Sequence, residues 1–181
     1  MALRVDGARK FVLEELEKQQ IGAPRRLELV REHKVLEWLI PALEELMVLP
    51  IQDIRAEEIE QMGWEVFCIL ARGKEAQAQQ RSILAHLSIP RDINHFCKSA
   101  EDCQYQRQIW WWQVVAKKLL QPKNPISLKD CYEFLTSNSP AGLNEECHRE
   151  LVQFLEGKGI FRLEMAILEG VKKAVESIYS I

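Results

Sequence analysis

The stretch QIWWWQVVAKKLL, residues 108–120, places three tryptophans in a row among apolar residues that recur at three- and four-residue spacing. Such spacing predicts an amphipathic α-helix. Successive residues of an α-helix lie about 100° apart around its axis, so three consecutive indoles span roughly 200°, more than one core-facing stripe normally covers. We therefore expect the three side chains to have different environments.

The neighbours of each tryptophan at helical spacing indicate which indole is buried. Trp112 shares its face with mostly apolar residues, namely Ile109, Val115, Ala116 and Leu119. We therefore expect Trp112 to lie in the core. Trp111 has valines on one side and the cations Arg107 and Lys118 on the other. Because it lies at the border of the apolar stripe, we expect Trp111 to be half buried.

Trp110 lies on the polar face of the same helix, next to Arg107 and Lys117. We expect its indole to reach solvent or a binding partner, although a neighbouring helix that covers it is an equally open interpretation. An exposed indole beside cations is a frequent hot spot in protein interfaces, because it offers a large contact area at little entropic cost. It can also stack on a nucleobase while the cations contact phosphates.

The rest of the chain has the same periodicity, and no window shows the sustained two-residue alternation of a half-buried strand. The predicted fold class is therefore all-α. We expect a helix to begin near Pro24 and to break or kink at Pro41. Ser127 and Asn144 are expected to cap two later helices, and Gly157 is expected to close the second of these.

Two segments of the chain have a similar pattern: residues 40–73, IPALEELMVLPIQDIRAEEIEQMGWEVFCILARG, and residues 89–121, IPRDINHFCKSAEDCQYQRQIWWWQVVAKKLLQ. Each begins with Ile-Pro, continues through a short apolar helix and a polar turn, and ends in a longer helix that carries tryptophan. A fainter third copy covers residues 126–157. Self-similarity of this kind is typical of helical repeat proteins, so we expect residues 1–181 to form a single all-helical domain containing these repeat-like units.

The Ile-Pro opening, the Leu-Ala-x-Gly end of the long helix and the glycine before a linking helix resemble armadillo repeats, within the armadillo and HEAT class. The resemblance extends over residues 22–178 and implies a short α-α superhelix. It also implies that long helices near residues 57–71, 104–119 and 144–156 line a concave surface. A compact helical bundle is the alternative architecture.

One feature of peptide-binding armadillo proteins is missing from this sequence. In those proteins an asparagine often follows the tryptophan of the long helix by four residues, whereas here Cys68 follows Trp64 and Ala116 follows Trp112. The resemblance therefore does not support a receptor for nuclear-localisation signals.

The net charge of −3 gives no overall attraction to nucleic acid or to an anionic membrane. No signal peptide or membrane-spanning run of apolar residues is evident, so we expect an intracellular protein, cytoplasmic or nuclear, without membrane insertion. The five cysteines are expected to be reduced, mostly buried thiols.

The sequence gives little indication of a metal-binding or catalytic site. His95, Cys97 and Cys103, with Cys147 and His148, lack the tight Cys–Cys or His–His spacing that anchors zinc. The chain also lacks a nucleophile elbow and a glycine-rich phosphate loop. We therefore expect no catalytic site, metal site or cofactor.

The sequence as a whole favours a non-enzymatic adaptor or scaffold that binds another protein or peptide through a helical-repeat surface. A helical nucleic-acid-binding protein that acts through a local Trp/Arg/Lys patch is the alternative, and self-association is compatible with both. The predicted contact residues are Trp64, Arg107, Trp110, Trp111, Lys117 and Lys118.

Overall fold

The computed structural model describes residues 20–88 and 100–181. Every regular element in these two ranges is helical, and they contain no strand, which confirms the all-α prediction. The superhelical stacking of repeats and the single-domain organisation stay predictions. In the described ranges, no helix combines the length and the apolar character needed to cross a membrane.

The α-helices are α1 (Ala23–His33), α2 (Leu39–Val48), α3 (Ala56–Met62), α4 (Trp64–Ala85), α5 (Ala100–Trp110), α6 (Ala116–Leu119), α7 (Leu128–Ser137), α8 (Glu145–Gly157) and α9 (Leu163–Tyr179). A π-helical segment, Trp111–Val115, joins α5 to α6, so residues 100–119 form one continuous helix. Single 3-10 turns cover Leu36–Trp38, Ile51–Asp53 and Ile160–Arg162.

The first helix ends earlier than the sequence predicts. Pro24 lies in the first turn of α1, as expected. Lys34 then adopts a left-handed conformation with φ of 55° and ends the helix. Pro41 lies in the first turn of α2, where backbone N–H groups have no partner within the helix and its missing amide proton costs nothing. The predicted break at Pro41 is therefore wrong.

The helix predicted near residues 57–71 is interrupted at Gly63. Gly63 has a φ of 92°, a conformation that glycine adopts without the strain of a side chain, and its N–H donates to the Ile59 carbonyl to end α3. Helix α4 begins at the next residue and continues through Gly73. The other two predicted long helices are present, as residues 100–119 and as α8.

The predicted helix caps of the C-terminal half are confirmed. The Ser127 hydroxyl accepts a hydrogen bond from the Asp130 N–H at 3.0 Å, at the start of α7. The Asn144 side chain accepts one from the Glu146 N–H at 2.8 Å, at the start of α8. Each cap satisfies a backbone donor that has no partner within its own helix. Helix α8 ends at Gly157, as expected.

Contacts along the chain define two compact units. Unit 1 contains the described residues up to Arg72 together with Val171–Ile181. Helix α1 packs on α2 and α3 in this unit, and the Tyr179 hydroxyl donates to the Met62 carbonyl at 3.1 Å. The largest fully buried side chains of this unit are Leu27, Leu39, Leu43, Leu46, Met62 and Leu70.

Unit 2 contains Gly73–Gly170. Its main core joins the end of α4 to the helix of residues 100–119, to α7 and to α8, and it includes Leu84, Trp111, Val115, Leu119, Leu128, Leu135, Leu151 and Leu155. A partly buried ion pair between Arg81 and Glu164, 2.6 Å apart, lies in this unit. The second oxygen of Glu164 accepts a hydrogen bond from the Leu128 N–H at 2.8 Å, at the first residue of α7.

Candidate binding surface

The structure buries a different tryptophan from the one that the sequence predicts. Trp111 is 1% exposed and belongs to the core of unit 2, whereas Trp112 is 50% exposed. Trp110 is half buried. The predictions that Trp112 lies in the core and that Trp111 is half buried are therefore wrong.

The π-helical segment Trp111–Val115 explains the difference. The Ala116 N–H donates to the Trp111 carbonyl, five residues earlier, where a regular α-helix would use the carbonyl four residues earlier. The wider turn holds more residues, so each residue advances by less than the about 100° of an α-helix. Trp112 is thereby turned away from the apolar stripe that continues into α6, and Trp111 takes its place.

Trp111 also fixes this segment against α4. Its indole N–H donates to the Ala85 carbonyl at 3.0 Å. Ala85 is the last residue of α4, and the last carbonyls of a helix have no partner within it. The hydrogen bond therefore satisfies two buried polar groups at once, which is the usual condition for burying an indole N–H.

Trp112 contacts the residue that follows α4. The His86 ring meets the Trp112 indole edge-on, with the ring centroids 5.5 Å apart. His86 is itself positioned by its Nδ1, which donates to the Ser82 carbonyl at 2.8 Å. Ile83, another exposed apolar residue, precedes His86 by three positions and so lies on the same helical face. We call Ile83, His86 and Trp112 the Trp112 patch.

Trp110 is covered by two neighbouring helices. Its ring stacks on Phe134 of α7, with centroids 6.1 Å apart, and meets His148 of α8 edge-on at 5.5 Å. Lys118 places its ammonium 4.8 Å from the centroid of the same Phe134 ring. The interpretation in which a neighbouring helix covers Trp110 is the one that the structure supports.

Arg107 does not lie on the surface. Arg107 is 3% exposed. Burial lowers the pKa of its guanidinium, and the electrostatic effect of Cys147 and Cys103 opposes this shift. Of the six predicted contact residues, two are thus buried, Trp110 is half buried, and Trp64, Lys117 and Lys118 are exposed. Their role in binding stays a prediction.

Trp64 belongs to unit 1 and is the other strongly exposed indole, at 66%. It is the first residue of α4, and its ring lies 5.4 Å from that of Phe67, one turn later. The pair forms a second aromatic surface, separate in sequence from the Trp112 patch.

The exposure of Trp112 was not predicted from the sequence, although the four-residue spacing of nearby apolar residues indicated it. Cys103, Trp111, Val115 and Leu119 are separated by multiples of four residues. Four residues of an α-helix exceed a full turn by about 40°, so a repeated four-residue spacing moves around the helix unless a π turn compensates. Arg107 occupies the remaining position of this row, and its charge conceals the pattern.

Within the described ranges, no three His, Cys, Asp or Glu side chains are grouped closely enough to hold a metal ion. His95 and Cys97 lie outside the described residues. The thiols of Cys103, Cys131 and Cys147 are reduced and buried, as predicted, and Cys68 is half buried.

No protein-family model, curated protein or solved structure matches this chain.

Proposed function

We propose that this chain is a non-enzymatic module that binds another protein, with the Trp112 patch as its contact surface. The observation that carries the proposal is the 50% exposure of Trp112 on a helical segment that the neighbouring indole fixes in the core. Because the backbone around Trp112 is already ordered, its indole loses little conformational freedom on binding. A few residues contribute most of the binding energy in many protein interfaces, and tryptophan is enriched among them.

The charges near the patch indicate the chemistry of the partner. Lys117 follows Trp112 by five residues along the same helix, and its side chain is exposed. Lys118 is exposed too, beside Phe134. An apolar side chain flanked by carboxylates would complement this arrangement of an indole with nearby cations.

A protein partner is favoured over a nucleic acid because the basic patch is smaller than the sequence suggests. Arg107 is buried, which leaves Lys117 and Lys118 as the exposed cations of the predicted patch. Nucleic-acid binding at physiological salt depends on several phosphate contacts, each made by an accessible cation. The net charge of −3 adds no general attraction.

An adaptor or scaffold needs more than one contact surface, and Trp64 with Phe67 is the candidate for the second. The superhelical repeat architecture predicted from residues 40–73, 89–121 and 126–157 is part of the same proposal. A second copy of the chain is among the partners that such surfaces would accept.

Quantitative affinity capture from a cell extract, with and without nuclease, tests the proposal. The wild type is compared with Trp112→Ala and with Tyr105→Ala, which removes another exposed aromatic side chain from the same helix. We expect nuclease-resistant capture of a defined protein by wild type and Tyr105→Ala, and its loss with Trp112→Ala. With the purified partner, Trp112→Ala should weaken binding roughly 30-fold, since a hot-spot residue contributes about 2 kcal/mol or more.

Two outcomes would contradict the proposal. Capture that nuclease abolishes, or that falls steeply with salt, would indicate a nucleic-acid-binding protein. Equal capture by wild type and Trp112→Ala would show that the Trp112 patch is not the contact surface.

A further inference from the structure

Charge is distributed unevenly along the chain. Residues 36–60 contain seven acidic residues and a single arginine, so this stretch has a net charge of −6, although the whole chain has only −3. Residues 103–129 contain five Lys or Arg residues and no Asp or Glu, a net charge of +5. Six of the seven acidic residues are exposed, and so are the four lysines of the basic stretch. Unit 1 therefore has an acidic surface region, and unit 2 has a basic one.

The acidic stretch also exposes apolar side chains. On α2, Ile40 and the 85% exposed Val48 lie on one helical face with Glu44 between them, at four-residue spacing. Leu49 and Ile51 follow the end of α2 and are exposed as well. An exposed apolar group rimmed by charged residues is typical of an interaction site. We call this surface the Val48 patch, and it consists of Ile40, Glu44, Val48, Leu49, Ile51 and Asp53.

The Val48 patch has the chemistry that the Trp112 patch is expected to bind. The Trp112 patch exposes apolar side chains, and Lys117 and Lys118 are exposed on the same continuous helix. An apolar side chain flanked by carboxylates complements such a surface. In the Val48 patch, Val48 has Glu44 one turn before it and Asp53 shortly after it. Both surfaces are exposed, so each is available to a second copy of the chain.

We propose that the chain associates with a second copy of itself, head to tail, through the Val48 patch of one copy and the Trp112 patch of the other. The inference rests on the proposed function, because it uses the Trp112 patch as a contact surface, and it names the chain itself as a partner. A contact between two different surfaces leaves one patch of each kind unoccupied in a dimer. Association therefore continues into closed rings or open chains.

The charges of the two stretches favour this contact over the symmetric ones. Two Val48 patches would bring carboxylates together, and two Trp112 patches would bring lysines together, whereas the head-to-tail contact pairs opposite charges. Attraction between exposed charges is screened over about 10 Å at 0.1 M ionic strength. We therefore expect the association to weaken as the salt concentration rises.

Sedimentation velocity of the full chain over about 1–500 μM tests the inference, since this range includes weak and transient contacts. We expect the weight-average mass to rise with protein concentration, past that of a dimer, and to fall with added salt. Val48→Lys and Trp112→Ala should each weaken the association at least about tenfold. Two controls that change other exposed side chains, Met165→Lys on α9 and Tyr105→Ala on α5, should associate like the wild type.

A mixture of the two weakened variants distinguishes the head-to-tail contact from a symmetric one. Trp112→Ala retains the Val48 patch, and Val48→Lys retains the Trp112 patch. At a concentration at which each variant alone is monomeric, an equimolar mixture should form a heterodimer and no larger species. Both substitutions are at exposed positions, and circular dichroism checks that the two variants are folded.

A wild type that stays monomeric over the whole range would overturn the inference, and the capture of another protein through Trp112 would still decide the proposed function. The inference is equally wrong if neither variant weakens the association, or if the mixture forms no heterodimer. Self-association as expected, together with capture of other proteins that does not depend on Trp112, would support the inference and restrict the Trp112 patch to contacts between copies.

Discussion

The helix of residues 100–119 and helix α8 lie in the same unit but bury their side chains with different spacing. Helix α8 buries two adjacent rows with the three- and four-residue steps of a regular α-helix: Cys147, His148, Leu151, Val152 and Leu155. The helix of residues 100–119 buries every fourth residue of its central part: Cys103, Arg107, Trp111, Val115 and Leu119, with Ala116 beside them.

The difference shows how one π turn changes which residues a helix presents. In α8 the pattern of apolar residues predicts the buried face directly. In the helix of residues 100–119, the π turn keeps residues at four-residue spacing on one face. Arg107, although charged, belongs to this buried row, whereas the apolar Trp112 lies outside it and is exposed. A regular helical projection misassigns both residues.

The largest expected effect is the difference in the free energy of unfolding between two alanine variants. Trp111→Ala removes a fully buried indole and its hydrogen bond to the Ala85 carbonyl, so we expect the free energy of unfolding to fall by about 3–5 kcal/mol. Trp112→Ala removes a half-exposed side chain, and we expect a loss of about 1 kcal/mol or less. Chemical denaturation followed by far-ultraviolet circular dichroism measures both. A larger loss for Trp112→Ala would reverse the assignment.

A pair of deletions sharpens the comparison between the two helices. Deleting Gln153 from α8 rotates the following residues by about 100°, removes Leu155 from the core, and should cost at least the roughly 2–5 kcal/mol of a buried leucine. Deleting Gln113 instead gives the residues after Trp111 the three-, four- and seven-residue spacing of a regular helix. We therefore expect deletion of Gln113 to change the free energy of unfolding by no more than about 1 kcal/mol.

The control for the deletions is the helical content, measured by circular dichroism in both variants. If the two deletions destabilise the protein equally, the π segment does not act as one extra residue in a regular helix, and the explanation for the position of Trp112 fails.

A cation on a regular helix provides a comparison for Arg107. Burial and the charge of Arg81 lower the pKa of Lys74, on α4, from 10.5 to about 8. Between these values the unfolded chain binds a proton that the folded protein has lost, so the stability should rise as the pH increases from about 8 to 10.5. Because Lys74 is partly accessible to solvent, we expect a rise of about 1–2 kcal/mol.

Denaturation at a series of pH values checks this expectation. Lys74→Met should remove the rise and stabilise the protein at neutral pH by a similar amount, whereas Lys129→Met, at an exposed position of α7, should leave the rise unchanged. An unchanged pH dependence in Lys74→Met would assign the rise to another group.

The smallest effect concerns the two exposed lysines of α6. Lys118→Met removes the cation from the Phe134 ring and should destabilise the protein by about 0.5 kcal/mol, a value typical of exposed cation–π contacts. Lys117→Met is the matched control and should change the stability less. Equal values for the two variants would show that the contact with Phe134 adds no net stability.

The sequence predicted features that depend on neighbouring residues. The all-α class follows from the apolar periodicity, and the caps at Ser127 and Asn144 follow from side chains that accept hydrogen bonds from their own first turn. Helix α8 needs no distant contact to define its buried face, so its bounds were close to those expected.

The features that the sequence did not predict depend on distant contacts or on unusual backbone. Lys34 ends α1 with a positive φ, which is uncommon for a residue other than glycine, and its ammonium donates to the Tyr179 carbonyl at 2.6 Å. The position of Trp111 depends on the Ala85 carbonyl, which belongs to another helix. The sequence therefore predicted the exposure of the wrong indole in this helix.

The most direct test of the central claim is fluorine NMR of protein labelled with 5-fluorotryptophan, with each resonance assigned by a single Trp→Phe variant. A soluble paramagnetic agent is added, which broadens the resonances of accessible rings. The structure predicts that the Trp111 resonance stays sharp, that Trp112 is strongly broadened, and that Trp110 is intermediate. A sharp Trp112 resonance together with a broadened Trp111 resonance would contradict the structure and restore the regular α-helical register.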